Sequence, residues 1–284
     1  MQTERFTEVE AADGQRFPLL GFPRPENDSP VVLIAPAMGT PAGFYRRFLY
    51  ELHGAGATAL VLDHRGSGDR SQAPRDTAYH HLVGDIGAAI GAIRTSRPEA
   101  SVTVCGHSLG GQLALVQAAL AGERAEPAPD AVAIVAAGSV HHRAYGSRSL
   151  GLLAATQSAG LIATVLGHWP GHRLGFGGRQ PTGVIRDWAH QARTGRYRVN
   201  GTDTEAALQR LRLPLLAVDV EGDHMAPPGA VTHLCDKAPH ARLERRAYTR
   251  AEAGEPVDHF RWARHGGPLA RDLVQWARAS RDEA

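Results

Sequence analysis

Lysine is all but missing from this chain. Lys237 is the only one among 31 basic residues, and the arginines that make up the rest are scattered rather than gathered into a run. Scatter of this kind reads as a compositional bias and not as a phosphate-binding stripe, and a net charge of +2 with 15 histidines speaks against strong steering towards nucleic acid or an anionic membrane. Cysteine is scarce too. Cys105 and Cys235 stand at no metal-ligand spacing, which excludes a disulfide-built secreted fold and predicts free thiols in a reducing cytoplasm. The opening MQTERFTEVEAADGQRF has no apolar core and so lacks the form of a signal peptide. Long apolar runs are also missing. AVAIVAA (131–137) and LLAV (215–218) fall far short of the roughly 20 residues that span a bilayer, so membrane insertion is not expected.

What is present is an ordinary globular composition, 43% hydrophobic and 21% charged over 284 residues, enough for one large α/β domain or two small ones. RFTEVEAADGQRFPLLGF alternates about Asp13-Gly14, which predicts an antiparallel hairpin at one edge. Then VVLIAP (31–36), ATALVLD (57–63), SVTVC (101–105), AVAIVAA (131–137) and LLAVDV (215–220) follow as short, mostly apolar runs. Strands covered on both faces read this way. Segments of helical length, 43–54, 82–94 and 110–121, separate most of them, and 268–278 predicts the last helix, with Pro268 in its first turn. Such alternation predicts a mostly parallel central sheet with helices on both faces. Residues 141–211 break the rhythm with leucine- and tryptophan-rich stretches and no convincing buried strand. A helical insertion capping a pocket is expected there, which divides the chain into an α/β core of 1–140 and 212–284 and a cap of 141–211.

GHSLG, residues 106–110, matches Gly-x-Ser-x-Gly. In that motif a serine sits on a sharp strand-to-helix turn, and the flanking glycines let strand and helix approach closely. By composition alone the pattern arises in about one random chain in seven, so its context decides. Here SVTVC precedes it and GQLALVQAAL follows, the strand and helix that the motif requires. A serine nucleophile needs a general base oriented by a carboxylate, and for this elbow the chain order is serine, acid, histidine. No Asp or Glu lies between Asp130 and Asp187, so the acid has to come from LLAVDVEGDHMAPP, which offers Asp219, Glu221 and Asp223. Loop placement favours Asp223. The base should follow one more strand, ARLERRAY (241–248), where His259 and His265 qualify; His224, His233 and His240 come too early. Apolar neighbours in PVDHFRW favour His259. An oxyanion hole would use the N–H of Leu109 and one from the loop IAPAMGTPAGFY, where small residues around Met38 leave its backbone open.

With these three residues in this order, the chain resembles the α/β-hydrolases over nearly all its length. LDHRGSGDRS (62–71) is similar to the Asp-x-Arg-Gly-x-Gly-x-Ser segment after the fourth strand of that superfamily, with Ser71 one place late. PAMG stands in the place of its His-Gly-x-x loop, which implies Met38 at the oxyanion position. GFYRRFLYEL, GHSLGGQL, HWPGHRLGFGG, DWAHQARTGRY and DHMAPP together resemble a bacterial group of α/β-hydrolases related to the serine aminopeptidase and lysophospholipase branch. In that group the Asp of an Asp-x-x-Ala-Pro segment and the His of a Gly-His-Phe segment partner the serine, which implies Asp223 and His259. Two positions depart from it: Asp258 replaces the glycine before the histidine, and Pro36-Ala37 replaces His-Gly. A second carboxylate beside the base raises the question of an upward shift in its pKa.

Residues and resemblance together predict a serine hydrolase that cleaves an ester or thioester, or an amide, through an acyl-enzyme. An acyltransferase or acyl-release enzyme of a biosynthetic pathway would use the same residues with another acceptor. A binding protein that keeps the fold with an idle site is the reading from another class. Leu152, Leu161, Val165, Trp169, Phe176 and Trp188 predict a mainly apolar pocket, with Trp169, Phe176 and Trp188 as substrate contacts. No cofactor or metal is implied, because His168 and His172 have metal-compatible spacing only in a helix, which Pro170 and Gly171 oppose. The expected partners are a small-molecule acyl substrate and at most a second copy in a homodimer, not nucleic acid, and the expected location is the cytoplasm.

Overall fold

The computed structural model describes residues 3–67, 73–124 and 126–282. Ser71 and its neighbours 68–72 therefore lie outside the described residues. Eight strands form one sheet: β1 Glu4–Glu10, β2 Arg16–Phe22, β3 Val31–Ala35, β4 Thr58–Val61, β5 Val102–His107, β6 Ala131–Val135, β7 Pro214–Val220 and β8 Arg242–Tyr248. Their spatial order is β1-β2-β4-β3-β5-β6-β7-β8. β1 pairs antiparallel with β2, and β2 with β4, while every later pair is parallel. This is the expected hairpin at the edge of a parallel sheet, turning at Gly14 with φ +80°.

Helices of nine or more residues are α1 Arg46–Gly54, α2 Tyr79–Ser96, α3 Leu109–Arg124, α4 Ser149–Leu166, α5 Thr182–Thr194 and α6 Gly267–Asp282. α1 and α6 cover one face of the sheet, packing Phe48, Leu49 and Leu273 against Val32 and Ile34. α2 and α3 cover the other with Ile86, Ile90 and Leu113 against Val31, Leu33 and Ala35. β3 thus buries alternate residues in two cores, which is why it reads as an unbroken apolar run. Arg65, from the LDHRGSGDRS segment, is buried and joins the hairpin to α2, pairing with Asp13 and, at 2.7 Å, with Asp85.

Two findings differ from the expectations. The interval 141–211 contains α4 and α5 but also two small antiparallel ladders, His168–Pro170 with Arg179–Pro181 and Arg198–Val199 with Thr202–Asp203. Strands of two or three residues carry no readable period, so sequence pattern passes over them. Second, the stretch His142–Leu166 is long and apolar enough to cross a membrane, by length and composition, with mean hydropathy 1.5 and 17% of its apolar window buried. Counting consecutive apolar residues misses it, because Thr156, Gln157, Ser158 and several glycines interrupt the run. The helix nevertheless lies along the molecule, with Thr156, Ala159 and Ala163 buried.

Candidate active site

β5 ends at His107 and α3 begins at Leu109, leaving Ser108 alone at the turn with φ +52°. A left-handed backbone is costly for a residue with a side chain, and it persists only where the surroundings hold it. Here the Ser108 N–H donates to the Val135 carbonyl at 3.2 Å, and the Ser108 carbonyl accepts from Gly111 N–H at 3.0 Å. The glycines have a steric reason. A Cβ on Gly106 would lie 2.3 Å from Gly111 Cα, and one on Gly110 would lie 2.0 Å from the Ala35 carbonyl oxygen. α3 therefore rests directly on the ends of β3 and β5, with Ser108 raised to the mouth of a cavity.

That cavity, of about 760 Å3, brings together most of the residues expected at the site. Ser108, Leu109, Met38, His259, Trp169, Phe176 and Trp188 all line it. Asp223 sits behind His259: its Oδ2 accepts from His259 Nδ1–H at 2.8 Å, while Oδ1 accepts from Met225 N–H at 2.7 Å and Ala226 N–H at 2.9 Å. Both carboxylate oxygens are engaged, and both residues are buried. An ionised carboxylate only accepts, so the imidazole proton sits on Nδ1 and Nε2 keeps its lone pair. That buried Nε2 makes no hydrogen bond among the described residues. The other candidates are occupied elsewhere. Asp219 pairs with Arg245 at 2.6 Å, Glu221 accepts from the Arg250 N–H at 2.8 Å, and His265 is absent from the cavity wall. Asp258 turns its carboxylate to the backbone, accepting from Phe260 and Arg261 N–H at 2.9 and 2.7 Å, and so shapes the turn after His259.

The Leu109 N–H, at the first position of α3, has no intrahelical partner by geometry. Met38 lies opposite, in a loop held by the cap: a Cβ on Gly39 would meet the Gly177 carbonyl oxygen at 2.2 Å, and one on Gly177 would meet Met38 Sδ at 3.1 Å. The cap wall is fixed as well, with Trp169 Nε1–H donating to the Phe176 carbonyl at 2.9 Å and the Phe176 and Trp188 rings 5.5 Å apart. Leu152 shares this wall, but Leu161 and Val165 do not; they are 66% and 74% exposed on the outer side of α4. This corrects the expectation that all six cap residues line the pocket. Helical position explains it, since Leu161 and Val165 sit roughly 120–180° around α4 from Leu152 and Ala159 at about 100° per residue.

Sequence reasoning missed two side chains behind the site. Tyr45 Oη accepts from Ala37 N–H at 2.9 Å and lies 2.8 Å from His107 Nδ1, and His107 Nε2 lies 2.8 Å from the His259 carbonyl. A carbonyl only accepts, so His107 carries its proton on Nε2 and Tyr45 Oη–H donates to Nδ1. Burial, and then His259 nearby, push the His107 pKa well down, so it stays neutral. The signals available were the tyrosine ending GFY and the histidine inside the elbow itself. Burial also pushes the thiols of Cys105 and Cys235 up, to about 12 and about 11, so neither supplies a rival nucleophile. Among the described residues no group of three or more His, Cys, Asp or Glu could hold a metal; His168 lies in a ladder strand and His172 in the short helix after it.

The sheet order, the serine elbow at the end of β5 and the cap over it define an α/β-hydrolase. The chain belongs to the family described as Serine aminopeptidase, S33, whose model matches residues 26–252. Its fold is similar to that of a soluble variant of monoglyceride lipase from Saccharomyces cerevisiae, with 14% identity, TM-score 0.71, and 99% of this chain and 96% of that one covered. The enol-lactonase from Burkholderia xenovorans LB400 is similar at 15% identity and TM-score 0.61, covering 96% and 100%. The esterase Pf2001 from Pyrococcus furiosus is similar at 13% identity and TM-score 0.62, covering 98% and 93%. Among curated proteins, none matches.

Proposed function

We propose that this hydrolase cleaves carboxylic esters or thioesters of apolar acyl groups through a covalent serine intermediate. One observation carries the reading: His259, oriented by Asp223 at 2.8 Å and with its Nε2 unpartnered, shares one cavity with the strained Ser108. His259 Nε2 takes the Ser108 Oγ proton as Oγ bonds to the carbonyl carbon, and the C=O π pair moves onto oxygen, where the Leu109 and Met38 N–H groups stabilise it. The intermediate collapses, the alcohol or thiol leaves with the proton from Nε2, and the acyl-serine remains. Water then repeats the sequence, and the carboxylic acid departs. Asp223 holds the tautomer and stabilises the imidazolium.

The cavity wall supports the choice of substrate. Leu152, Trp169, Phe176, Trp188 and Met225 line it, and among the described residues no Asp or Glu does. A substrate with a free N-terminal ammonium, as an aminopeptidase takes, would bury that charge with no carboxylate beside it, at a cost of several kcal/mol. An uncharged acyl chain meets no such cost. A fluorophosphonate probe should label the wild type and leave Ser108→Ala unlabelled, and nitrophenyl esters of increasing chain length should gain in kcat/KM until the cavity is filled. A folded wild type that takes no label, or faster cleavage of amino-acid anilides than of any ester, would refute the reading.

A further inference from the structure

Arginines that look scattered along the chain come together on the outside of the cap. A groove of about 890 Å3, distinct from the catalytic cavity, is lined by Arg75, Arg186, Arg193 and Arg198, with His80 and His190 beside them. Arg75 donates to the Thr164 carbonyl at 2.8 Å, and Arg186, Arg193 and Arg198 form no ion pair among the described residues. Two acids share the groove. Asp76 is exposed, and Asp187 is held at the start of α2, accepting from the Tyr79 N–H at 2.9 Å. Residues 131–186 contain five arginines and no Asp or Glu, whereas the whole chain is only +2.

Next to this groove runs an apolar ridge. α4 carries no charged residue, and along one stripe it exposes Leu150 at 77%, Leu161 at 66% and Val165 at 74%. The helix divides its surface three ways: Leu152, Ala155 and Ala159 line the catalytic cavity, Gln157, Gly160 and Thr164 line the arginine groove, and the ridge lies between, meeting the groove at Leu161.

We infer that the cap docks on an anionic phospholipid surface, with the α4 ridge in the interface and the arginine groove against lipid phosphates. An apolar helix face beside cationic side chains is the arrangement that binds at such an interface, and each arginine adds attraction to anionic headgroups. The charge selects this occupant over a second copy of the chain. Two-fold pairing through the ridge would bring together two caps that each hold nine arginines against three acids, Asp187, Asp203 and Glu205. Docking would also set the mouth of the catalytic cavity beside the acyl layer, a consequence that alone rests on the function proposed above.

Flotation with vesicles tests the docking, and it is done with Ser108→Ala as well as wild type so that binding is read apart from turnover. Vesicles of phosphatidylcholine with about 30 mol% phosphatidylglycerol should carry both proteins at about 0.1 M salt, while pure phosphatidylcholine should carry at least about tenfold less. Leu161→Glu with Val165→Glu, and separately Arg186→Glu with Arg193→Glu, should each weaken partition at least about tenfold with melting temperature and probe labelling retained. All four side chains are on the surface, so these variants should fold. Wild type left in the soluble fraction, or ridge variants that float like wild type, would overturn the inference. So would equal binding to both vesicle types. A dimer in light scattering that the ridge variant dissolves, without flotation of either protein, would assign the face to a second copy instead.

Discussion

The Tyr45 hydroxyl accepts from Ala37 N–H, one residue before Met38, and donates to His107 Nδ1, whose other nitrogen donates to the His259 carbonyl. One oxygen thus couples the loop that carries Met38 to the backbone of the proposed base. Tyr45→Phe would leave a buried N–H and a buried ring nitrogen unpaired, at about 1–3 kcal/mol of stability. If Tyr45 positions the site, kcat for a nitrophenyl ester should also fall by about tenfold to a hundredfold with KM little changed. Loss of stability with an intact kcat would reduce Tyr45 to a core residue. The contrast with Ser108, Asp223 and His259 shows what a sequence can carry at this scale. Those three declare themselves through chain order, an elbow motif and a long acid-free interval that removes competing carboxylates. Tyr45 and His107 are 62 residues apart and join only when α1 packs beside β5, which no local pattern encodes.

The strands of the sheet were legible because burial on both faces leaves apolar runs, and α3 because its motif fixes where it starts. Its contact with β3 was not legible in detail. Gly110→Ala would put a Cβ 2.0 Å from the Ala35 carbonyl oxygen, backbone against backbone, so relief requires moving α3 or β3. A loss of about 1–3 kcal/mol, or more, is expected in urea unfolding. Gly122→Ala, near the other end of the same helix, meets nothing within 4 Å and should gain about 0.5–1 kcal/mol from helix propensity. Opposite signs along one helix separate packing from propensity, and two changes of the same sign would contradict the close approach. In the cap the helices were legible and the ladders were not. The apolar count of α4 was visible too, but which residues face the cavity depends on how the helix is laid over it.

Across the whole molecule, acidification should weaken the fold through histidines that stay neutral. Burial lowers the pKa of His81, His141, His190 and His233, and that of His107 most completely. An unfolded histidine takes up a proton near pH 6.5, whereas folded His107 does so only far below that. Between those values the unfolded chain binds more protons, so stability falls as pH falls. His107 alone should remove about 1.4 kcal/mol between pH 7.5 and 5.5, or about 3 °C of melting temperature in a chain of this size. Asp187 works the other way, since burial raises its pKa and its protonation favours the folded chain, but it is one group against five histidines. Asp13, held low by Arg65, stays ionised throughout, so its stabilisation is lost only under stronger acid. Thermal melts across this range should therefore slope downward towards acid, and His107→Gln, whatever its absolute stability, should have a shallower slope. A flat profile, or an equal slope in the variant, would mean that His107 takes up its proton inside the folded protein, against Tyr45 and the His259 carbonyl.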